Sequence, residues 1–279
     1  MNKVLSSSQL IKKYHLQAKK SLGQNFILDQ NFTDKIVRLA GDLKDWEVLE
    51  VGAGAGTLTR SILSTNVKKL TVIEKDERCL EVLEEIKKNY GDRLQIIAGD
   101  ALKINEYDIF KNIISDQKKF KIIANLPYNI GTVLLIKWLK IHQHISSMHL
   151  MLQKEVAQRI TAKINDDHYG RLAVMTNFFC DSKIAFLVNK NVFVPQPKVT
   201  SAIVEIIPKK IFDEKVEFNK LEKVVASAFN QRRKMIRSSL KNIFGEKLLE
   251  ILKQCQISEQ NRAEQLTINN FAELSKKVI

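Results

Sequence analysis

The run Val48-Leu49-Glu50-Val51, followed at once by Gly52-Ala53-Gly54-Ala55-Gly56-Thr57, decides how this chain folds. A short apolar stretch that stops at glycines predicts a strand buried on both faces, as in a parallel sheet. Glycines at that point permit a tight turn and a close backbone approach to a ligand at the carboxyl end of the strand, where open α/β sheets bind small molecules. A helix is expected to open near Thr57.

Outward from this turn, apolar runs alternate with amphipathic ones. Candidate strands lie at 48–51, 70–74, 94–98, 121–125, 148–153, 183–188 and 201–207. Between the early ones fall helical patterns such as 76–90, with Leu80, Leu83 and Ile86 at helical spacing. This alternation predicts an α/β fold with a mostly parallel sheet covered on both faces. No helical pattern separates the last two strands, so they are expected as an antiparallel pair at one edge. After Pro208 the strand signal stops, and helical segments at 219–229, 234–243, 246–253 and 268–277 predict a small all-α domain. The expected division is therefore 1–208 and 209–279, with the boundary between Pro208 and Glu217. Residues 1 to about 18 have no strong periodicity and are expected to be disordered until bound.

Composition narrows the function classes. With 279 residues, 44% of them hydrophobic, the chain can supply a proper core. Its longest apolar stretches are broken by charges, as 132–139 is by Lys137, so no membrane span is expected. The start of the chain carries no apolar secretory segment, and export is not expected. Cys79, Cys180 and Cys255 are scattered without a CxxC pair, which predicts neither a disulfide framework nor a zinc site and fits a reducing cytoplasm. No metal is expected. The net charge of +14 predicts a polyanionic partner. Residues 1–28 carry five lysines and no acid, and 226–244 carry Arg232, Arg233, Lys234, Arg237 and Lys241 with no acid. Two such segments could frame one nucleic-acid path, with the arginines holding phosphates without reading sequence. The plainer reading of the second cluster is a solvated helix face.

The chemistry-bearing residues sit at the strand ends. A dinucleotide fingerprint, G-x-G-x-x-G, would need a third glycine where Thr57 stands, whereas G-x-G-x-G suits a nucleoside without a pyrophosphate, such as S-adenosylmethionine. Glu74, closing the second strand, can accept from ribose hydroxyls. Asp100, just past the third, can accept from an adenine amino group. Singly, these features could be a tight turn, a surface carboxylate and a helix cap; three strand ends carrying suitable groups argue against coincidence. The fourth strand ends in Asn125-Leu126-Pro127-Tyr128, which is built to grip a planar amine. The Asn125 side-chain oxygen and the Leu126 carbonyl offer two acceptors, Pro127 fixes the direction of that carbonyl, and Tyr128 offers a face for a base to stack on. Taken alone the tetrad could also be an ordinary turn.

These residues together resemble the KsgA-type ribosomal RNA adenine dimethyltransferases. The matching blocks are Lys19-Lys20-Ser21-Leu22-Gly23-Gln24-Asn25-Phe26, Glu50 to Gly56, Asn125-Leu126-Pro127-Tyr128-Asn129-Ile130, Met151-Leu152-Gln153-Lys154-Glu155-Val156, Val192-Phe193-Val194-Pro195-Gln196-Pro197-Lys198-Val199 and Phe229-Asn230-Gln231-Arg232-Arg233-Lys234-Met235-Ile236-Arg237. They occur in the family's order. The resemblance implies a Rossmann-like seven-stranded methyltransferase sheet with a C-terminal all-α domain. It implies S-adenosylmethionine as cofactor and dimethylation of the exocyclic N6 amine of two adjacent adenosines near the 3' end of small-subunit ribosomal RNA, linked to subunit biogenesis and carried out by a cytoplasmic monomer. It further implies that Asn25 and Ile27 touch the cofactor from an N-terminal arm, that Gly52 lines its methionine side, Glu74 its ribose and Asp100 its adenine, and that Asn125 meets cofactor and target amine alike. Phe193 would then be a second stacking surface opposite Tyr128; its plainer reading is a buried aromatic before a proline turn. Gly131 departs from the family's usual small hydroxyl residue, which puts only a helix-capping contact in question.

Two rivals remain at this point. Erm-type enzymes, which methylate large-subunit ribosomal RNA, share the fold but more often have Ser before the Gln of the arm and Ile before the Pro of the tetrad; here these are Gly23 and Leu126. A ribosome assembly or transcription factor could keep the fold as a binding module, against which the intact tetrad argues.

Overall fold

A computed structural model describes residues 6–19, 22–210, 213–231 and 233–278. In chain order the elements are α1 (Ser7–Lys13), β1 (Phe26–Ile27), α2 (Gln30–Leu39), β2 (Glu47–Val51), α3 (Thr57–Leu63), β3 (Lys69–Glu74), α4 (Glu77–Tyr90), β4 (Leu94–Ala98), α5 (Glu106–Ile109), α6 (Lys111–Ser115), β5 (Phe120–Asn125), α7 (Gly131–Leu139), β6 (Ile145–Gln153) and α8 (Lys154–Thr161). There follow α9 (Arg171–Phe179), β7 (Cys180–Val188), β8 (Phe193–Val194), β9 (Ser201–Pro208), α10 (Phe218–Asn230), α11 (Ile236–Ser239), α12 (Lys241–Phe244), α13 (Leu248–Gln254) and α14 (Ile268–Lys276).

Seven strands form one sheet in the order β4-β3-β2-β5-β6-β9-β7. The pairs β3 with β4, β2 with β3, β2 with β5 and β5 with β6 are all parallel. The apolar runs read from the sequence are these strands, and β2 is buried from Val48 to Val51. The last two strands lie side by side at one edge, as expected: β9 runs antiparallel to β6 from Met148↔Ile206 to Gln153↔Ser201, and β7 lies outside it. Burial explains the order. Ala202, Ile203, Val204 and Ile206 of β9 are fully buried and need neighbours on both sides, whereas β7 is largely exposed or half-buried along its length and suits an edge.

A second, two-stranded sheet pairs β1 with β8, Phe26 against Val194 and Ile27 against Phe193. The segment before β1 is also ordered, contrary to the expected disorder. Residues Ser7–Lys13 form a helix capped by Ser6, and Leu10 and Leu16 are buried. Two apolar side chains six residues apart show no helical repeat, yet burying both is enough to hold the arm down. Polar contacts reinforce it. Gln24 Nε2 donates to Asp76 at 2.9 Å, the guanidinium of Arg78 donates to the Gln17 carbonyl at 3.1 Å, and Thr57 Oγ1 donates to Ser7 at 2.7 Å. Residues 1–5, where part of that expectation falls, lie outside the described residues.

The chain forms two compact units, 6–157 with 183–208, and 158–182 with the described residues from 209 onward. The helical unit thus draws 158–182 from within the stretch that the boundary at 208 gave to the sheet. Those residues supply its aromatic core. Phe179 stacks on Phe218 with centroids 5.3 Å apart, Tyr169 meets Phe229 at 6.1 Å, and Phe229 meets Phe271 at 5.6 Å. The phenol of Tyr169 donates to the Leu266 carbonyl at 3.0 Å. The single helix expected at 234–243 is instead the two short helices α11 and α12, preceded by Met235 bridged to Arg262.

Candidate active site

One cavity in the sheet unit collects the carboxyl ends of β2, β3, β4 and β5 together with the arm. Asn25, Ile27, Gly52, Glu74, Asp100, Asn125, Leu126, Pro127 and Tyr128 all line it, as do Glu50 and Lys75. The glycine loop is squeezed between the other two parts. Gly52 has φ 73° and a Cβ there would lie 3.2 Å from Pro127 Cδ; Gly54 has φ 56° and its Cβ would lie 2.8 Å from the Phe26 ring. Side chains at either position would strain the backbone and separate the loop from the tetrad or the arm.

Glu74 is 5% exposed and accepts three backbone N–H bonds, from Gly54 at 3.0 Å, Lys75 at 2.8 Å and Asp76 at 2.9 Å. Burial raises its pKa and those three donors work against the rise. A carboxylate has about four lone-pair positions, so Glu74 has room for one further donor. Asp100 accepts from Lys75 Nζ at 2.9 Å and from the Leu102 N–H at 3.0 Å. Its pKa is lowered, first by the Lys75 hydrogen bond, which keeps it ionised beside the cavity.

At the tetrad, Asn125 Nδ2 donates to the Asn25 carbonyl at 3.3 Å. With its nitrogen committed to the arm, the amide keeps its oxygen as an acceptor for a ligand N–H. The Leu126 N–H donates to the Met151 carbonyl at 3.3 Å, and among the described residues no group donates to the Leu126 carbonyl. Pro127 ends the strand and its carbonyl accepts from Ile130 and Gly131, both at 3.2 Å, which starts α7. The Tyr128 phenol lies 2.6 Å from Ser201 Oγ. Desolvation raises the phenol's pKa, so it stays neutral at physiological pH.

Phe193 is the expected site residue that the structure leaves out. It is 1% exposed, packs in the hydrophobic core and does not line the cavity. The reason is period two: in β8 Phe193 is buried and Val194 exposed, and the pairing with β1 turns the ring inward. Of the basic cluster, Arg233, Lys234 and Arg237 are exposed in the helical unit, while Arg232 lies outside the described residues. The segment is acid-free in sequence but not in space, since Glu259 comes within 3.6 Å of Arg237.

The residue underread from sequence is Glu50. It is 1% exposed and accepts from Thr59 Oγ1 at 2.7 Å. Burial pushes its pKa up to about 8, against the Thr59 hydrogen bond and with a smaller contribution from the charge of Glu74. A carboxyl in the middle of an apolar strand was the available signal.

This set of groups fits S-adenosylmethionine: acceptors at Glu74 and Asp100, a tight glycine floor, and buried acids without a cation among the described residues that line the cavity except Lys75. Known proteins agree. The profile of the family described as "Ribosomal RNA adenine dimethylase" matches residues 15–279. "Ribosomal RNA small subunit methyltransferase A" of Agrobacterium fabrum is 47% identical over 271 residues, 95% of each chain. Among solved structures, a dimethyladenosine transferase from Plasmodium falciparum superposes with a TM-score of 0.74 at 27% identity, covering 89% of this chain and 95% of that one. The 23S rRNA methyltransferase ErmE superposes with a TM-score of 0.65 at 21% identity, over 91% of this chain and 99% of that one, a likeness of fold alone.

Proposed function

The chain belongs to the ribosomal RNA adenine dimethylase family, and from that premise we propose that it transfers methyl groups from S-adenosylmethionine to the N6 amines of two adjacent adenosines in a loop near the 3' end of small-subunit (16S) ribosomal RNA. The observation that carries this reading is the single cavity in which the glycine loop, Glu74, Asp100 and Asn125 to Tyr128 meet. The 47% identity to a small-subunit enzyme favours it over the Erm-type alternative.

S-adenosylmethionine, when bound, would supply a methyl carbon on a sulfonium sulfur that an amine can attack in line, the C–S bond breaking as the N–C bond forms and S-adenosylhomocysteine leaving as the neutral thioether. Glu74 and Asp100 would hold its ribose and adenine, Gly52 its methionine side, and Asn25 and Ile27 would cover it from the arm. An exocyclic base amine is a poor nucleophile because its lone pair is delocalised into the ring. The Asn125 oxygen and the Leu126 carbonyl accept from that amine, favour a tetrahedral nitrogen and meet the positive charge that develops on it. The proton is then acidic enough to pass to solvent, so a strong general base is not required. Tyr128 stacks the base, which must leave its helix or come from a loop, at a cost of a few kcal/mol when unstacked. Exposed Arg233, Lys234 and Arg237, with Arg232, hold phosphates. Among the described residues no helix is long and apolar enough to cross a membrane, and the proposed setting is a monomer acting on the small subunit in the cytoplasm, during its biogenesis.

The test is to incubate the protein and methyl-labelled S-adenosylmethionine with under-methylated small ribosomal subunits and to identify the modified nucleosides by mass. Dimethyladenosine is expected, and Asn125→Ala should abolish it. Label confined to cytosine or to protein would overturn the reading.

A further inference from the structure

Tyr128 sits in the turn between β5 and α7, next to the exposed Asn129, and two side-chain torsions separate its ring from the backbone. Something other than the turn must hold the ring in place. Its phenol oxygen is 2.6 Å from Ser201 Oγ, and among the described residues neither hydroxyl has another hydrogen-bond partner. Ser201 is 0% exposed and opens β9, in register with Gln153 of β6. The backbone there is fixed from the residue before as well, because the Thr200 carbonyl accepts from the Lys154 N–H at 2.8 Å. The contact therefore ties a turn residue to the interior of the main sheet. A fully buried hydroxyl beside Ala202, Ile203 and Val204 is costly unless it is hydrogen-bonded, and the Tyr128 phenol is what it bonds.

We propose that Ser201 is a positioning residue for methyl transfer: by holding the phenol it fixes the long axis of the Tyr128 side chain, and so the place of the ring against which the target adenine stacks. This rests on the reading of Tyr128 as the stacking surface. The ring's place determines where the exocyclic amine lies relative to the Asn125 and Leu126 acceptors, and displacements near 1 Å can cost about a hundredfold in rate. Loosening the ring by one tether should act on the chemical step rather than on cofactor binding, for which Glu74, Asp100 and the glycine loop are responsible.

The experiment compares Ser201→Ala, Ser201→Thr, Tyr128→Phe and the Ser201→Ala/Tyr128→Phe double variant. Single-turnover methylation of under-methylated small subunits is measured, alongside the S-adenosylmethionine Kd by calorimetry. Each alanine or phenylalanine variant should lose roughly tenfold in rate, since a partial misplacement falls short of the full effect. The double variant should lose no more than either single one, because both remove the same tether. Ser201→Thr, which keeps the hydroxyl, should recover most of the rate, and every Kd should stay within about twofold of the parent's. Parent-like rates in Ser201→Ala or Tyr128→Phe, multiplied losses in the double variant, or a Kd that weakens in step with the rate would overturn the proposal. Should Ser201→Ala fail to fold, Tyr128→Phe decides alone, since it keeps the ring and removes only the tether. Failure of the underlying reading looks different: the parent itself would then make no methylated adenosine.

Discussion

Glu50 is the group whose proton a cationic cofactor should displace. It lines the cavity, is 1% exposed, and has its pKa pushed up to about 8, first by burial. Glu74 is raised in the same direction, but three backbone N–H groups favour its ionised form, while among the described residues only Thr59 donates to Glu50. Glu50 is therefore the acid that holds a proton in the empty protein. At pH 7 a carboxyl with a pKa of about 8 is roughly nine-tenths protonated. A cation within about 5 Å, at an effective dielectric near 20, contributes about 3 kcal/mol, or about 2 pKa units, and brings the group below neutrality. Binding of S-adenosylmethionine at pH 7 should then release about 0.8 proton, and affinity should rise about fivefold between pH 6 and pH 7. That window lies below the range in which an α-amino group titrates, near 7.7 to 8.0. Calorimetry in buffers of different ionisation enthalpy measures the release directly. Glu50→Gln should bind with flat pH dependence and no proton release. The same carboxyl has its folded pKa above its ordinary value of 4.5, so the empty protein loses stability as pH rises from about 4.5 through about 8, by at most on the order of 4 kcal/mol. Release below about 0.2 proton in the parent, or undiminished release in Glu50→Gln, would refute the reasoning.

His149 works in the opposite sense. It is 2% exposed, desolvation lowers its pKa to about 4, and stability should be lost as pH falls from 6.5 toward about 4; acid titration of unfolding on His149→Leu should lack that decline, and an unchanged profile counts against it. Glu106, 1% exposed at its side chain, pairs with Lys137 at 2.9 Å and accepts from Trp138 Nε1 at 2.8 Å. Glu106→Ala strands Trp138 Nε1 and leaves the Lys137 charge without its counter-ion, though Lys137 keeps the Ala101 and Ile104 carbonyls, and should lower stability by about 3 kcal/mol, read as a shift in urea midpoint. At Gly131 a Cβ would stand 2.7 Å from Leu152 Cδ2. Gly131→Ser should cost about 1 kcal/mol in thermal unfolding, and Leu152→Val in the same chain should relieve it; equal destabilisation with either residue at 152 would rule out this account.

Most of the fold was legible because each piece carries its own local signal. The apolar run 48–51 and the glycines after it, the acids at 74 and 100, and the tetrad at 125–128 each need only a few neighbouring residues to be read, and each contributes lining to one cavity. What escaped depends on partners far along the chain. Helix α1 is held by the burial of Leu10 and Leu16 rather than by its own periodicity, and which strand of the edge pair lies inside, β9 against β6, follows from which is buried on both faces. Phe193 shares its burial with the pairing of β8 and β1, which no local pattern announces. Chemical state is the least local property of all. Asn125 presents an acceptor because the carbonyl of Asn25 takes its amide nitrogen at 3.3 Å, and Glu50 holds a proton because strands on either side exclude water from it. Residue identity at a strand end thus names the kind of chemistry available, whereas polarity and protonation are set by the packing that only the assembled sheet and arm provide.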